Sequence, residues 1–285
     1  MAKKAAFITV HGMGSTEESY NREVVAEIKA RLGARFSDLH VGKVYYQGIL
    51  QPNENRVWKS VCRRVRWDAL RKFLLFGFAD AAGLENGKEA RTSVYSQVQT
   101  LIARELFIAR RAMGGDGPVV ILAQSLGGQV ISCYFWDAQR SFQGKSVKVG
   151  IWQDIGYFQS RITDGDPLTA DEKAFLQGLS LRSLYTTGCN IPIFVAAHAS
   201  GEILPITPNG TFEWHNFYDK DDILGWPLAD LSPDYKRIVT DHPVNAGGGN
   251  MEWILKSWNP LSHGQYWGDD GVLDPLEERL RALLA

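Results

Sequence analysis

The chain has 285 residues, 45% hydrophobic and 22% charged, with a formal net charge of −1. That length suits one large α/β domain or two small ones, and the charge balance excludes a global field that would gather nucleic acid. Three cysteines, Cys62, Cys133 and Cys189, sit at no metal-ligand spacing, and an odd count argues against a disulfide framework. No apolar run approaches membrane-spanning length, and the first ten residues lack the length and cleavage site of a signal peptide. The expectation is a soluble, cytoplasmic protein.

Residues 5–10 read as a buried strand that ends in His11-Gly12-Met13-Gly14-Ser15. A dinucleotide fingerprint would need a third glycine at position 17, where Glu17 stands. Residues 19–32 read as an amphipathic helix closed by Gly33, and residues 41–46 as a second strand. From 52 to 90 the pattern changes. Arg56, Lys59, Arg63, Arg64, Arg66, Arg71 and Lys72 interleave with aromatics, Val57, Val61 and Val65 recur every fourth residue, and 73–78 is apolar with one glycine. This predicts helix with a basic outer face. One reading is a core-packing helix with a solvated side; another is contact of 56–78 with a membrane surface. Residues 92–112 predict a long amphipathic helix, leading through Gly114-Gly-Asp-Gly117 to the next strand.

Residues 118–131 organise the rest. Val119 to Ala123 is a short apolar run after a turn, which reads as a strand buried on both faces. Ser125 follows in Ala123-Gln-Ser-Leu-Gly127, and a helical pattern over 126–138 begins at once. Small residues two before and two after the serine allow strand and helix backbones to approach closely. The simpler alternative is a serine N-cap on a buried helix.

Residues 144–184 are poorly patterned and read as an excursion, in which 164–172 begins like a capped helix that 174–184 continues. Asp154, Asp164 and Asp166 there read as turn and cap material. Residues 191–197 and 213–218 read as further strands, and 272–284 as a terminal helix. Strands alternating with helices predict an α/β fold: a mostly parallel sheet with helices on both faces. The chain is taken as one domain over 1–285, with cap-like or lid insertions at about 52–90 and 144–184.

Ala123-Gln-Ser125-Leu-Gly127 resembles the nucleophile elbow of α/β-hydrolases, although Ala123 replaces the usual first glycine, as it does in some bacterial lipases. The resemblance implies Ser125 as nucleophile. It makes 11–14 the His-Gly loop of lipases and esterases, with backbone N–H groups of Met13 and Leu126 forming the oxyanion hole, and His11 structural. It also implies the chain order serine, acid, histidine. Downstream of residue 218, Asp219, Asp221 and Asp222 compete for the acid. The family's register favours Asp222, ahead of Ile223-Leu224, with Asp219 second. Of the histidines after Ser125, His198 precedes the acid and reads as a substrate contact, and His215 lies inside a strand. His263, in a loop before the last helix, is the favoured base, with His242 next.

The implied function is a serine esterase or lipase-like carboxylic ester hydrolase acting through a Ser-His-Asp triad and an acyl-enzyme. It needs no cofactor and no metal, and it acts on a small-molecule or lipid ester. A thioesterase or amidase using the same triad is the nearest rival. A non-catalytic ligand-binding member of the fold is a rival of another class. No nucleic-acid partner is implied, and the oligomeric state is left open.

Overall fold

A computed structural model describes residues 2–62, 66–246 and 265–285. Among the described residues, six strands form one sheet: β1 (Ala5–Val10), β2 (Leu39–Val44), β3 (Val119–Gln124), β4 (Leu181–Thr187), β5 (Glu213–Asp219) and β6 (Val239–Val244). Their order is β2-β1-β3-β4-β5-β6, and every neighbouring pair is parallel. Parallel neighbours need crossovers, and the crossovers place helices on both faces.

The two faces follow from the period-2 alternation of strand side chains. On β1 and β3, Ala6, Ile8, Val10, Val119, Ile121 and Ala123 point to one face. There they meet α4 (Val94–Met113), through Val98, Ile102 and Leu106, and α5 (Leu126–Phe142), through Val130, Ile131 and Tyr134. Ala5, Phe7, Val120 and Leu122 point to the other face. It is covered by α1 (Arg22–Leu32), through Val24 and Ile28, and by the terminal helix through Leu273, Leu276 and Leu280. Strands buried on both faces read as continuous apolar runs, which is why β1 and β3 were plain in the sequence.

Ahead of α4 the chain makes two helices, α2 (Gln47–Val61) and α3 (Asp68–Glu85), that pack on each other. After α5 come α6 (Ile155–Thr163) and α7 (Ala170–Leu176), the latter opened by a capping box of Thr169 and Glu172. The chain then adds α8 (Ile191–Val195), α9 (Pro233–Ile238) and the terminal helix α10 (Asp270–Leu283).

Three expectations need correction. The excursion read as 144–184 stops short of its end, because β4 begins at Leu181; helix α7 ends at Leu176. Residues 191–197, read as a strand, begin with helix α8. Pro192 explains this: it cannot donate to a ladder in a central strand, but it suits the first turn of a helix. The sheet also has the edge strand β6, which the sequence reading passed over. Pro243 within it is tolerated because β6 is the last strand in the order.

Candidate functional site

The strand-to-helix turn at Ser125 is strained. β3 ends at Gln124, α5 starts at Leu126, and Ser125 between them has φ 52° and ψ −122°. A side-chain-bearing residue held in such a region costs on the order of 1–3 kcal/mol. The surroundings hold it there: the Ser125 N–H donates to the Thr187 carbonyl of β4 at 2.8 Å.

Glycines make the turn sterically feasible. A Cβ at Gly127 would lie 2.5 Å from the His11 carbonyl oxygen and 2.9 Å from that of Val10. These are backbone atoms at the end of β1, so they cannot rotate away. A Cβ at Gly12 would lie 2.9 Å from the Ser125 Cβ. The loop 11–14 and the turn at 125 are therefore in direct contact. Ser125 is fully buried, and its Oγ has no hydrogen-bond partner among the described residues.

The loop after β1 is built from the inside. The His11 ring stacks on Tyr46 with centroids 4.0 Å apart. Its Nε2 accepts the Tyr46 N–H at 3.1 Å, so the proton sits on Nδ1, which donates to the Gly12 carbonyl at 2.7 Å. Burial lowers its pKa to about 4, so this imidazole is neutral at physiological pH. Gly14 donates its N–H to Asp80 Oδ2 at 2.7 Å. Between Gly12 and Gly14, Met13 sets its sulfur against Gly77 of α3. Leu126, first in α5, has no acceptor for its N–H within the helix, and the helix dipole favours negative charge at this end.

The acidic residues after β5 separate by their bonds. Asp219 closes the strand end, accepting the Asp221 N–H at 2.9 Å. Asp222 is buried; its Oδ1 accepts the Leu224 N–H at 2.9 Å and its Oδ2 accepts the Tyr266 hydroxyl at 2.8 Å. The same Tyr266 oxygen accepts the Asp219 N–H at 2.9 Å. A Cβ at Gly225 would lie 2.7 Å from Asp222 Oδ2, so this corner is closely packed. Ser125 and Asp222 thus stand beyond the carboxyl ends of β3 and β5, with β4 between them.

Of the candidate bases, His263 lies outside the described residues. His242 lies inside β6, with its Nε2 3.0 Å from Nδ1 of His215 on β5. The two stack beside Phe217 and Tyr185, half-buried on one face of the sheet near its β6 edge. His198 follows α8 and lines an open cavity of about 500 Å³ with Gln129, Cys133, Trp136 and Tyr235. No cluster of metal-ligand side chains is found among the described residues.

Three residues of this region escaped the sequence reading. Tyr266 was legible only as part of the Ser-His-x-x-Tyr-Trp run around His263, which resembles lipase-like members, and its bonds to Asp219 and Asp222 gave no signal. Asp80 and Glu54 did give one. Phe76, Asp80 and Leu84 recur at helical spacing, as do Gln47, Leu50 and Glu54, so each acid sits on the buried stripe of its helix.

The fold and the site define a class: an α/β protein with an all-parallel sheet and a strained serine turn beyond its third strand. Neither a protein-family model nor a curated protein sequence matches the chain. Among solved structures it is similar to one from Xanthomonas campestris pv. campestris, described provisionally as a hydrolase of the alpha/beta superfamily. The identity is 14% and the TM-score 0.36, over 91% of this chain and 95% of that one. No helix among the described residues is long and apolar enough to cross a membrane.

Proposed function

We propose that the protein is a serine hydrolase of the α/β-hydrolase fold that cleaves carboxylic esters. The observation that carries this reading is the backbone of Ser125, at φ 52° and ψ −122° between a buried strand and a helix. A cap or packing role does not need a serine held in so strained a backbone. A nucleophile lifted toward a reacting carbonyl on a tight strand-to-helix turn does.

In this reading His263 takes the Ser125 proton as Oγ attacks the ester carbonyl. The N–H groups of Met13 and Leu126 receive the developing oxyanion. His263 then passes the proton to the leaving alcohol, and water repeats the cycle on the acyl-enzyme. Asp222 orients the imidazole and stabilises its charged form. Support for His263 comes from the chain itself. Tyr266 is bonded to Asp222, and His263 precedes it by three residues, a tether of at most ~10 Å. Asp219, whose carboxylate makes the same kind of turn bond as Asp222, is the second choice on the family's register.

The test is turnover of short p-nitrophenyl esters, with a fluorophosphonate probe in parallel. Wild type should hydrolyse the ester and form an adduct at Ser125, and Ser125→Ala should do neither. Persistent turnover in that variant would overturn the assignment. Matched thioester and amide substrates then rank the bond cleaved.

A further inference from the structure

The excursion formed by α2 and α3 has two unlike faces. Its inner face is filled: Leu50, Glu54, Phe76, Gly77, Asp80 and Leu84 are buried, and a Cβ at Gly77 would lie 2.7 Å from the Met13 sulfur. Its outer face is not. Trp67, Arg71, Leu74 and Phe78, at helical spacing, share one exposed stripe at the start and along α3. Trp67 is 74% exposed and Phe78 72%. On α2, Val57 and Val61 are exposed on adjoining turns beside Arg56 and Ser60.

Charge follows the same surface. Among the described residues between 56 and 72, Arg56, Lys59, Arg66, Arg71 and Lys72 stand against one acid, Asp68, in a chain whose formal net charge is −1. Cations alone would suit any polyanion. Cations alternating with exposed tryptophan, phenylalanine and leucine suit a narrower partner. A nucleic-acid backbone offers nothing to Leu74 or Phe78. A bilayer surface offers acyl boundary to the apolar side chains and anionic headgroups to the basic ones at the same depth.

We propose that the outer face of α2 and α3 docks on the surface of an anionic phospholipid bilayer, with Trp67, Leu74 and Phe78 entering the headgroup boundary and the flanking arginines and lysines meeting lipid phosphates and carboxylates. The proposal does not depend on the reaction at Ser125, because the face it uses is opposite the one that holds the 11–14 loop.

The experiment is flotation of the full chain with vesicles of phosphatidylcholine alone and of phosphatidylcholine mixed with phosphatidylserine, at low and high salt. Binding to the mixed vesicles at low salt, release at high salt and little binding to phosphatidylcholine are expected. Two variants probe the two chemistries separately: Lys59→Glu with Arg71→Glu, and Leu74→Ser with Phe78→Ser. Each cation lost should weaken binding on the order of fivefold. The apolar pair should abolish retention while leaving the melting curve unchanged. Absence of binding to the mixed vesicles at low salt overturns the proposal. So does equal affinity for a double-stranded oligonucleotide. A dimer in light scattering that the Leu74 and Phe78 substitutions dissolve would assign the face to a second copy of the chain and overturn it as well.

Discussion

The carboxylate of Asp80 accepts the Gly14 N–H at 2.7 Å across 66 residues of sequence, tying helix α3 to the loop that faces Ser125. The same acid receives Gln47 Nε2 at 3.3 Å on its other oxygen. α2 adds a second tie, from Gln51 Nε2 to Ser15 Oγ at 3.0 Å. The excursion is therefore structural support for the loop, whatever its outer face contacts. If the loop supplies an oxyanion donor, loosening it should raise the barrier for reaction and leave substrate binding nearly intact. Losing a donor outright costs on the order of 10²–10³ in kcat, so loosening one through Asp80→Ala should cost roughly tenfold or more. Asp80→Asn keeps a carbonyl oxygen for Gly14 and should recover most of the rate. Steady-state kinetics on a p-nitrophenyl ester decide it: a rise in KM at constant kcat would show that Asp80 serves binding instead.

Asp80 does not stand alone. Glu54 from α2 is buried beside it, with Gln47 Nε2 3.2 Å from Glu54 Oε2 and the Tyr46 phenol near Asp80. None of these neighbours carries a positive charge. Burial, and then the hydrogen bond and charge of Asp80, push the Glu54 carboxyl up to about 9. Glu54 therefore holds a proton at neutral pH and shares it with Asp80. The native state then binds more protons than the unfolded chain between pH 4.5 and about 9, so this group's contribution to stability is lost as pH rises through that window. Glu54→Gln offers Asp80 an amide donor that does not titrate. Its melting temperature should exceed that of wild type at pH 8–9, with the difference shrinking toward pH 5. An unchanged difference across the range would remove the shared proton.

Much of the sheet was legible, and the parts that were not share a cause. β1 and β3 are almost wholly apolar, Thr9 and the terminal Gln124 aside, because both faces are buried. β4 is equally buried but carries Ser183, Thr186 and Thr187 inside. Its polarity is satisfied sideways: Thr186 Oγ1 donates to Asn216 Oδ1 at 2.9 Å and accepts the Trp214 indole N–H at 3.0 Å. Asn216 in turn donates to Asp241 on β6 at 2.7 Å. A ladder of this kind hides β4 and β6 from a reading of hydropathy, and the apolar run of α8 stands out in place of β4. At the site, the turn around Ser125 was legible because glycine spacing reports backbone contact. The support from Glu54 and Asp80 was not, because their significance depends on two helices that meet only in the fold.

His11 gives a second pH dependence, of opposite sign. Burial lowers its pKa to about 4, and both ring nitrogens are engaged with Tyr46 and Gly12. Its stabilising effect is complete above its unfolded pKa of 6.5 and is lost as pH falls from there toward 4. His11→Phe can keep the stack on Tyr46 but leaves the Tyr46 N–H unpaired, at a cost of about 1–3 kcal/mol for that buried group, while the Gly12 carbonyl keeps the Tyr46 hydroxyl at 3.2 Å. The variant should melt earlier than wild type at pH 7. The gap should narrow on acidification, since wild type alone must then keep a buried imidazole neutral. A gap that widens toward pH 4 would mean that His11 is charged in the fold.

Ser125 itself should be better tolerated as another residue than as serine, if stability alone is measured. The fold holds it at φ 52° with its hydroxyl buried and unbonded among the described residues. Ser125→Ala removes the unbonded hydroxyl but keeps the strained backbone, so its melting temperature should match or slightly exceed that of wild type. Ser125→Gly also relieves the backbone, worth ~1–3 kcal/mol, against ~0.5–1 kcal/mol for the added freedom of glycine in the unfolded chain. A net gain of about 1 kcal/mol corresponds to a rise of ~2–4 °C for a domain near this size. Both variants should lose all ester turnover. Stability that rises as activity vanishes is the signature of a residue kept for its chemistry. A drop of several degrees in both variants would instead make Ser125 a structural cap, and the proposed nucleophile would have to be sought elsewhere.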